Sequence, residues 1–193
     1  MKRICVFCGS NNGANPIYLE TAERVGKFLA KKNIELVYGG GRVGLMGKVA
    51  DTVMANRGKV IGVIPQSLAT KEIAHQGLTE LHIVNSMHER KAMMAELSDG
   101  FIALPGGFGT FEEFCEIVTW AQLGIHQKPC GLLNINGFYD NLIALINFST
   151  TENFIRAEHR QLVLVESAVE KLFDLMKDFQ PPVIEKWLDK KSI

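Results

Sequence analysis

The sequence predicts a single doubly wound α/β domain, a Rossmann-like fold with a mostly parallel sheet of about seven strands. Three observations carry this. Short runs of β-branched and aromatic residues alternate with longer stretches of helical apolar spacing from end to end. The strand-like runs are apolar at consecutive positions, as in a sheet covered by helices on both faces. Glycine-rich turns follow several of these runs, at the carboxyl ends where such sheets hold ligands. No repeat, low-complexity tract or linker divides the chain, so residues 1–180 are expected to form the domain and 181–193 a tail.

In order, strand one spans Arg3 to Cys8 and ends in the polar turn Gly9-Ser10-Asn11-Asn12-Gly13. Asn15-Pro16 then supplies an N-cap and a proline at the first helical position, and the helix runs to about Lys32, closed by Asn33. Strand two, Glu35 to Tyr38, enters Gly39-Gly40-Gly41-Arg42-Val43-Gly44. A helix follows through Asn56 and stops at Arg57-Gly58. Strand three is Lys59 to Ile64. Residues Gln66 to Glu80 suit a loop with one short helix, leading to strand four, Leu81 to Asn85. Ser86 caps a helix over Met87 to Leu97. Strand five, Phe101 to Leu104, stops at Pro105-Gly106-Gly107. A helix opens at Thr110, with Glu112 and Glu113 in its first turn, and ends near Leu123. Strand six is Cys130 to Ile135, followed by a helix over Tyr139 to Phe148. An irregular, mobile stretch is expected from Ser149 to Arg160, then strand seven, Leu162 to Val165, and a last helix from Ser167 to Asp178.

With 193 residues the chain is long enough for a substantial core. Lysine plus arginine equals aspartate plus glutamate at 21 each, which argues against a polymeric nucleic acid as partner, since that needs a basic face. No apolar run approaches the roughly 20 residues that cross a bilayer. Met1 to Cys8 fails as a signal peptide because its apolar part is cut short at Gly9, so the cytoplasm is the expected location. Cys5, Cys8, Cys115 and Cys130 are then expected as free thiols, with Cys5-x-x-Cys8 in a core strand rather than a metal or redox site. No cluster of His, Cys or Asp suggests a metal, and no cofactor is implied. His75, His82, His88 and His126 are expected on surfaces or at turn caps.

A glycine turn that joins a strand to a helix bares backbone N–H groups at the positive end of the helix dipole, where anions bind. Two such turns, Gly39–Gly44 and Gly106–Gly109, suggest a mononucleotide in a crevice between them. The first matches G-x-G-x-x-G, but no acidic residue ends strand three (Ile64-Pro65-Gln66), so a full NAD site is not expected. Gly47-Lys48-Val49 lacks the hydroxyl of a Walker loop. Ser86-Met87-His88-Glu89-Arg90-Lys91 puts two cations near a helix start, against the dipole. Arg90 and Lys91 are there to clamp an anion or to stabilise charge on a leaving group.

Pro105-Gly106-Gly107-Phe108-Gly109-Thr110-Phe111-Glu112-Glu113 resembles the P-G-G-x-G-T-x-x-E signature of the LOG ("lonely guy") phosphoribohydrolases. Met87-His88-Glu89-Arg90-Lys91, Tyr38 to Gly47 and Val6-Phe7-Cys8-Gly9-Ser10 are similar to that family's other elements, over residues of about 3 to 180. The resemblance implies hydrolysis of the N-glycosidic bond of a nucleoside 5'-monophosphate, AMP or a cytokinin riboside monophosphate, to free base and ribose 5-phosphate. It implies Arg90 and Glu113 as catalytic pair. Substrate contacts are implied at Glu72, Lys91, Gly106, Gly107, Phe108, Gly109, Thr110, Phe111, Glu112 and Thr119, with Gly9, Ser10, Gly39, Gly40 and Gly41 beside them. Arg42 stands where the family often has serine. A homodimer is implied too, and the helices carrying Met93 and Phe114 are the expected face. Nothing resembles the pyridoxal-phosphate site of a lysine decarboxylase, a label often given to the family.

The chemistry suits these residues. Glycosidic cleavage builds oxocarbenium character on the ribose, which a carboxylate such as Glu113 stabilises, or it orients the hydroxyls or activates water. Arg90 is placed to stabilise the departing base, and the phosphate to sit on the Gly106–Thr110 turn. A second function class is a binding protein: P-G-G-x-G-T proteins of similar fold, the molybdenum cofactor carriers, bind without hydrolysis and have no need of an Arg90–Glu113 pair.

Overall fold

Runs of Val, Ile, Leu and Phe form seven strands: β1 (Arg3–Phe7), β2 (Glu35–Tyr38), β3 (Val60–Pro65), β4 (Glu80–Val84), β5 (Gly100–Ala103), β6 (Cys130–Leu133) and β7 (Val163–Glu166). The computed structural model describes residues 1–69 and 74–182. The sheet order is β4-β3-β2-β1-β5-β6-β7, and every neighbouring pair is parallel. The chain builds outward from β1 to β4, then returns to add β5 on the other side of β1. The strand order therefore reverses between β1 and β5, and the crevice of such a sheet lies at their carboxyl ends.

The pleat sends alternate residues to two cores. Ile4, Val6 and Cys8 join Leu36, Tyr38, Ile102 and Leu104 beneath α1 (Pro16–Lys31), α2 (Gly44–Ala55) and α8 (Val169–Asp178). Cys5, Phe7, Val37, Phe101 and Ala103 lie beneath α4 (Met87–Leu97), α5 (Phe108–Gln122) and α6 (Asp140–Thr151). Cys5 and Cys8 thus sit on opposite faces of the sheet as free thiols. The local signals explain the ends. Asn15 accepts from the Ile17 N–H at 3.0 Å to start α1, and Asn33 and Arg57 adopt positive φ after α1 and α2. Among the described residues no helix is long and apolar enough to cross a membrane.

Four expectations are corrected. One edge strand is not buried on both faces: β4, at the end of the sheet, exposes Glu80, Leu81 and Ile83 and buries only Val84. The stretch expected to be irregular is largely helical, since α6 continues to Thr151 and α7 (Ala157–Arg160) follows. Arg160 ties it down, donating to Asn147 Oδ1 at 2.7 Å and to the Val163 carbonyl at 3.0 Å. Phe114 lies in the chain's own core, in helical phase with Ile117 and Ala121. Leu145 and Phe148 on α6 and Phe154 beyond it are among the exposed apolar side chains. His75 is buried, whereas His88 is exposed and His126 holds the turn after α5 through the Ile117 carbonyl. Finally, α5 starts at Phe108, two residues before the expected Thr110. A short helix, α3 (Gln66–Leu68), follows β3 as expected, while Glu72 and residues 183–193 of the tail lie outside the described residues.

Candidate active site

The early start of α5 changes the meaning of Glu113. Gly107 is the N-cap, so Glu112 and Glu113 are the fifth and sixth helical residues and the first turn holds no acid. The dipole falls off within that first turn and does not account for them. Gly107 makes no side-chain cap, and a methyl group built on Gly107 or Gly109 would meet nothing within 4 Å. Phe108 between them is 92% exposed. The start of α5 is thus an open rim of backbone N–H groups. Behind it the turn is closed: a methyl on Gly106 would lie 2.1 Å from Thr110 Oγ1, and Gly9 donates its N–H to the Pro105 carbonyl at 3.1 Å. The turns after β1 and β5 line a cavity of about 190 Å³, with Ser10, Gly106, Gly107, Tyr18 and Phe138 in its wall.

Arg90 comes from α4, whose start is fixed by a reciprocal cap. Ser86 Oγ accepts from the Glu89 N–H at 3.1 Å, and the Glu89 carboxylate accepts from the Asn85 N–H at 2.7 Å. One residue further on, the guanidinium reaches under the sheet edge. Its Nη1 donates to Glu113 Oε1 at 2.6 Å and its Nε to the Val63 carbonyl at 3.2 Å. A methyl on Gly39 would lie 1.9 Å from Nη2, so this glycine makes room for the arginine. Both partners of the ion pair are nearly enclosed, with 11% and 12% of their side chains exposed. Burial raises the Glu113 carboxyl above the ordinary range, and the charge and hydrogen bond of Arg90 only partly oppose it. A carboxyl held this way lies closer to the range useful for proton transfer at neutral pH.

Lys91 turns the other way. Its ammonium lies 2.5 Å from Glu112 Oε1 and 3.0 Å from Glu116 Oε1. Burial alone would lower its pKa, but the hydrogen bonds to Glu112 and Glu116 prevail and raise it. The structure therefore joins Arg90, Lys91, Glu112, Glu113 and Gly39 into one cluster, beside the open rim of Gly107 to Thr110. Gly40 and Gly41 hold the turn next to Gly39, where Gly41 bridges to Ala74. Thr119 is not brought to the pair. It lies six residues beyond Glu113, roughly 9 Å further along the helix, exposed and bonded to its own helix at the Cys115 carbonyl. The expected crevice between the two glycine turns is also revised: β1 separates β2 from β5, so the Gly9 turn, not the Gly39 turn, adjoins Gly106. Two residues near the site, Glu116 on Lys91 and His75 against the Gly40 turn, were not among the expected site residues. Glu116 was findable, since it follows Glu112 by four positions and shares its helix face. His75 had no signal.

A family described as "Possible lysine decarboxylase" matches residues 46–176. A probable cytokinin riboside 5'-monophosphate phosphoribohydrolase of Oryza sativa subsp. japonica is 50% identical over 177 residues, 92% of this chain and 79% of that protein. A cytokinin riboside 5'-monophosphate phosphoribohydrolase of Arabidopsis thaliana is 46% identical over 180 residues, 93% of this chain and 84% of that one. Among solved structures, the molybdenum cofactor binding protein of Rippkaea orientalis superposes with a TM-score of 0.69 over 92% of this chain and 97% of that one. At 23% identity that likeness concerns the fold.

Proposed function

Because the chain belongs to the LOG family of cytokinin riboside 5'-monophosphate phosphoribohydrolases, we propose that it hydrolyses the N-glycosidic bond of a nucleoside 5'-monophosphate. AMP and cytokinin riboside 5'-monophosphates are the substrates. Water adds across the bond, its hydroxyl to C1' of the ribose and its proton to the base, giving ribose 5-phosphate and free base. The observation that carries this is the buried Arg90–Glu113 pair beside an open helix start.

In this reaction the phosphate rests on the N–H groups of Gly107 to Thr110, with the dipole of α5 behind it. The 190 Å³ cavity beside that turn takes the phosphate and part of the ribose. Glu113 faces the ribose, where its carboxylate stabilises the oxocarbenium ion and positions the water. Arg90 stabilises the charge that builds on the base as the bond breaks. Lys91 exchanges Glu112 for an oxygen of the substrate, with Phe108 and Phe111 at the rim and Glu72 as a further contact. A carrier that only binds has no use for a carboxyl buried against an arginine. Nor does the cluster suit lysine chemistry, which needs a neutral amine, because Glu112 and Glu116 hold Lys91 charged.

We also assign the protein to the cytoplasm, in keeping with its free thiols, and as a homodimer. The twelve-residue α6 buries none of its residues, and Leu145, Phe148 and Phe154 form an exposed apolar face. Sedimentation would give twice the 21.4 kDa chain mass; a monomer at micromolar concentration would remove the dimer.

The decisive experiment incubates pure protein with AMP and with isopentenyladenosine monophosphate and follows free base by chromatography, alongside Glu113→Gln. Wild type releases base, and the variant, still folded, is slower by about 10²–10⁴-fold. A variant of near-wild-type rate removes Glu113 from the mechanism. Nucleotide binding without release by wild type would make the protein a carrier.

A further inference from the structure

Resting on this activity, we propose that His75 is a positioning residue that holds the Arg90 guanidinium through the glycine turn after β2. His75 lies in the connection between α3 and β4, and its ring is 10% exposed. Ala74 pairs antiparallel with Gly41, and the His75 N–H donates to the Gly40 carbonyl at 2.8 Å. Residues 74 and 75 thus lie against the turn, joined to it by one bridge and one backbone hydrogen bond. The ring fixes them there. Nδ1 is 2.8 Å from the Gln76 carbonyl, and Nε2 is 2.9 Å from Asp51 Oδ1 on α2.

The turn so held has no slack. A methyl on Gly40, which has φ +73°, would lie 3.1 Å from Ile64 Cβ, and one on Gly62 would lie 3.0 Å from the Gly40 Cα. The turn is wedged between β3 on one side and residues 74 and 75 on the other. The neighbouring Gly39 is where Arg90 Nη2 rests, and the Val63 carbonyl that accepts from Arg90 Nε belongs to the same strand end. Both backbone supports of the guanidinium therefore lie in the piece of structure that the His75 clamp presses together. His75 touches neither Arg90 nor Glu113 in any hydrogen bond, and acts on the pair only through that backbone. A displacement of about 1 Å at a reacting group lowers a rate by roughly 10²-fold, so partial loosening of the clamp is expected to show in kcat.

The test is His75→Ala, read in two independent ways. With AMP, kcat falls about tenfold while KM stays within about twofold, because the phosphate site on α5 is untouched. His75→Gln, which can keep the bond to Asp51, recovers part of the loss. Asp51→Asn, at a position with 66% of its side chain exposed, gives a smaller loss with the fold secure. The second readout needs no substrate: the Arg90 Nε–H resonance in a proton–nitrogen spectrum, assigned by its loss in Arg90→Lys, shifts or broadens in His75→Ala. Should kcat fall with that resonance unmoved, the proposal is overturned and the effect passes to Glu72, three residues away in the chain. An unchanged kcat in an active enzyme overturns it as well. If the resonance shifts but wild type hydrolyses no nucleotide, the clamp stands and the proposed activity falls.

Discussion

The two glycine-rich turns, after β2 and after β5, look alike in sequence and differ in what surrounds them. At the first, a methyl on Gly39 would strike Arg90 at 1.9 Å and one on Gly40 would press on Ile64 at 3.1 Å. At the second, Gly107 and Gly109 have nothing within 4 Å. Glycine in the first turn is demanded by the protein's own side chains. In the second, Gly106 is likewise enclosed by the chain, but Gly107 and Gly109 keep the N–H rim of α5 clear for something that arrives from outside. One turn seats the Arg90 side chain, and the other, in the proposed reaction, is left open for substrate.

Alanine at each position separates the two. Gly39→Ala has the larger expected effect. The methyl displaces the guanidinium from Val63 and Glu113, and kcat falls by about 10²-fold. Overpacking of this kind costs about 1–3 kcal/mol, at about 2–4 °C of Tm per kcal/mol for a domain of this size. A Gly39→Ala enzyme with normal kcat would mean that the pair does not need its seat. Gly107→Ala reverses the pattern. The folded protein has room for the methyl, so Tm moves by less than about 2 °C, but KM for AMP rises roughly tenfold as the methyl crowds the phosphate. Loss of stability there would show that the rim is packed in the native state, and the contrast between the turns would fail.

The sequence made the outline of this contrast legible, and the fold more so than the site. Alternation, caps and turn residues placed all seven strands and most helices, because Asn15, Ser86 and Asn33 act locally. The start of α5 was misplaced because an N-cap glycine bonds nothing and leaves no signal, and with it went the difference between a carboxylate serving a dipole and one paired to Arg90. Arg90 and Glu113 were legible as types at a strand edge. Their mutual distance was not, since it depends on how α4 and α5 cross the sheet. His75 was missed because its partners, Asp51 and Gly40, are remote in sequence and nothing local marks it.

Between the two seats lies a titration. Burial raises the Glu113 carboxyl above its ordinary 4.5, so the native state holds that proton more tightly than the unfolded chain. The stability it contributes is complete below 4.5 and is lost as pH rises through the higher native value. Activity runs the opposite way if the carboxylate is the working form. With AMP, kcat/KM falls on the acid side with a midpoint above 4.5. A limb at or below the ordinary glutamate value would mean that the pair is more open to water in solution than its 12% exposure implies.

The smallest effect concerns Arg42, which continues the first turn where the family often has serine. It is exposed, has no ion-pair partner among the described residues, and precedes the start of α2, whose Gly44 abuts Ser10. The other cations of the site are already paired, Arg90 with Glu113 and Lys91 with Glu112 and Glu116. Arg42 is therefore the charge left to draw in a phosphate dianion from a distance. An exposed charge of this kind is worth about 0.2–1 kcal/mol. Arg42→Ser should accordingly raise KM for AMP by about two- to fivefold at low salt, leave kcat unchanged, and lose its effect above roughly 0.5 M salt, where the screening length is a few ångströms. A tenfold or larger rise that persists in salt would mean direct contact with the phosphate. The first turn would then be a seat for substrate as well, and in this chain the division of labour between the two turns would give way to a site that spans both.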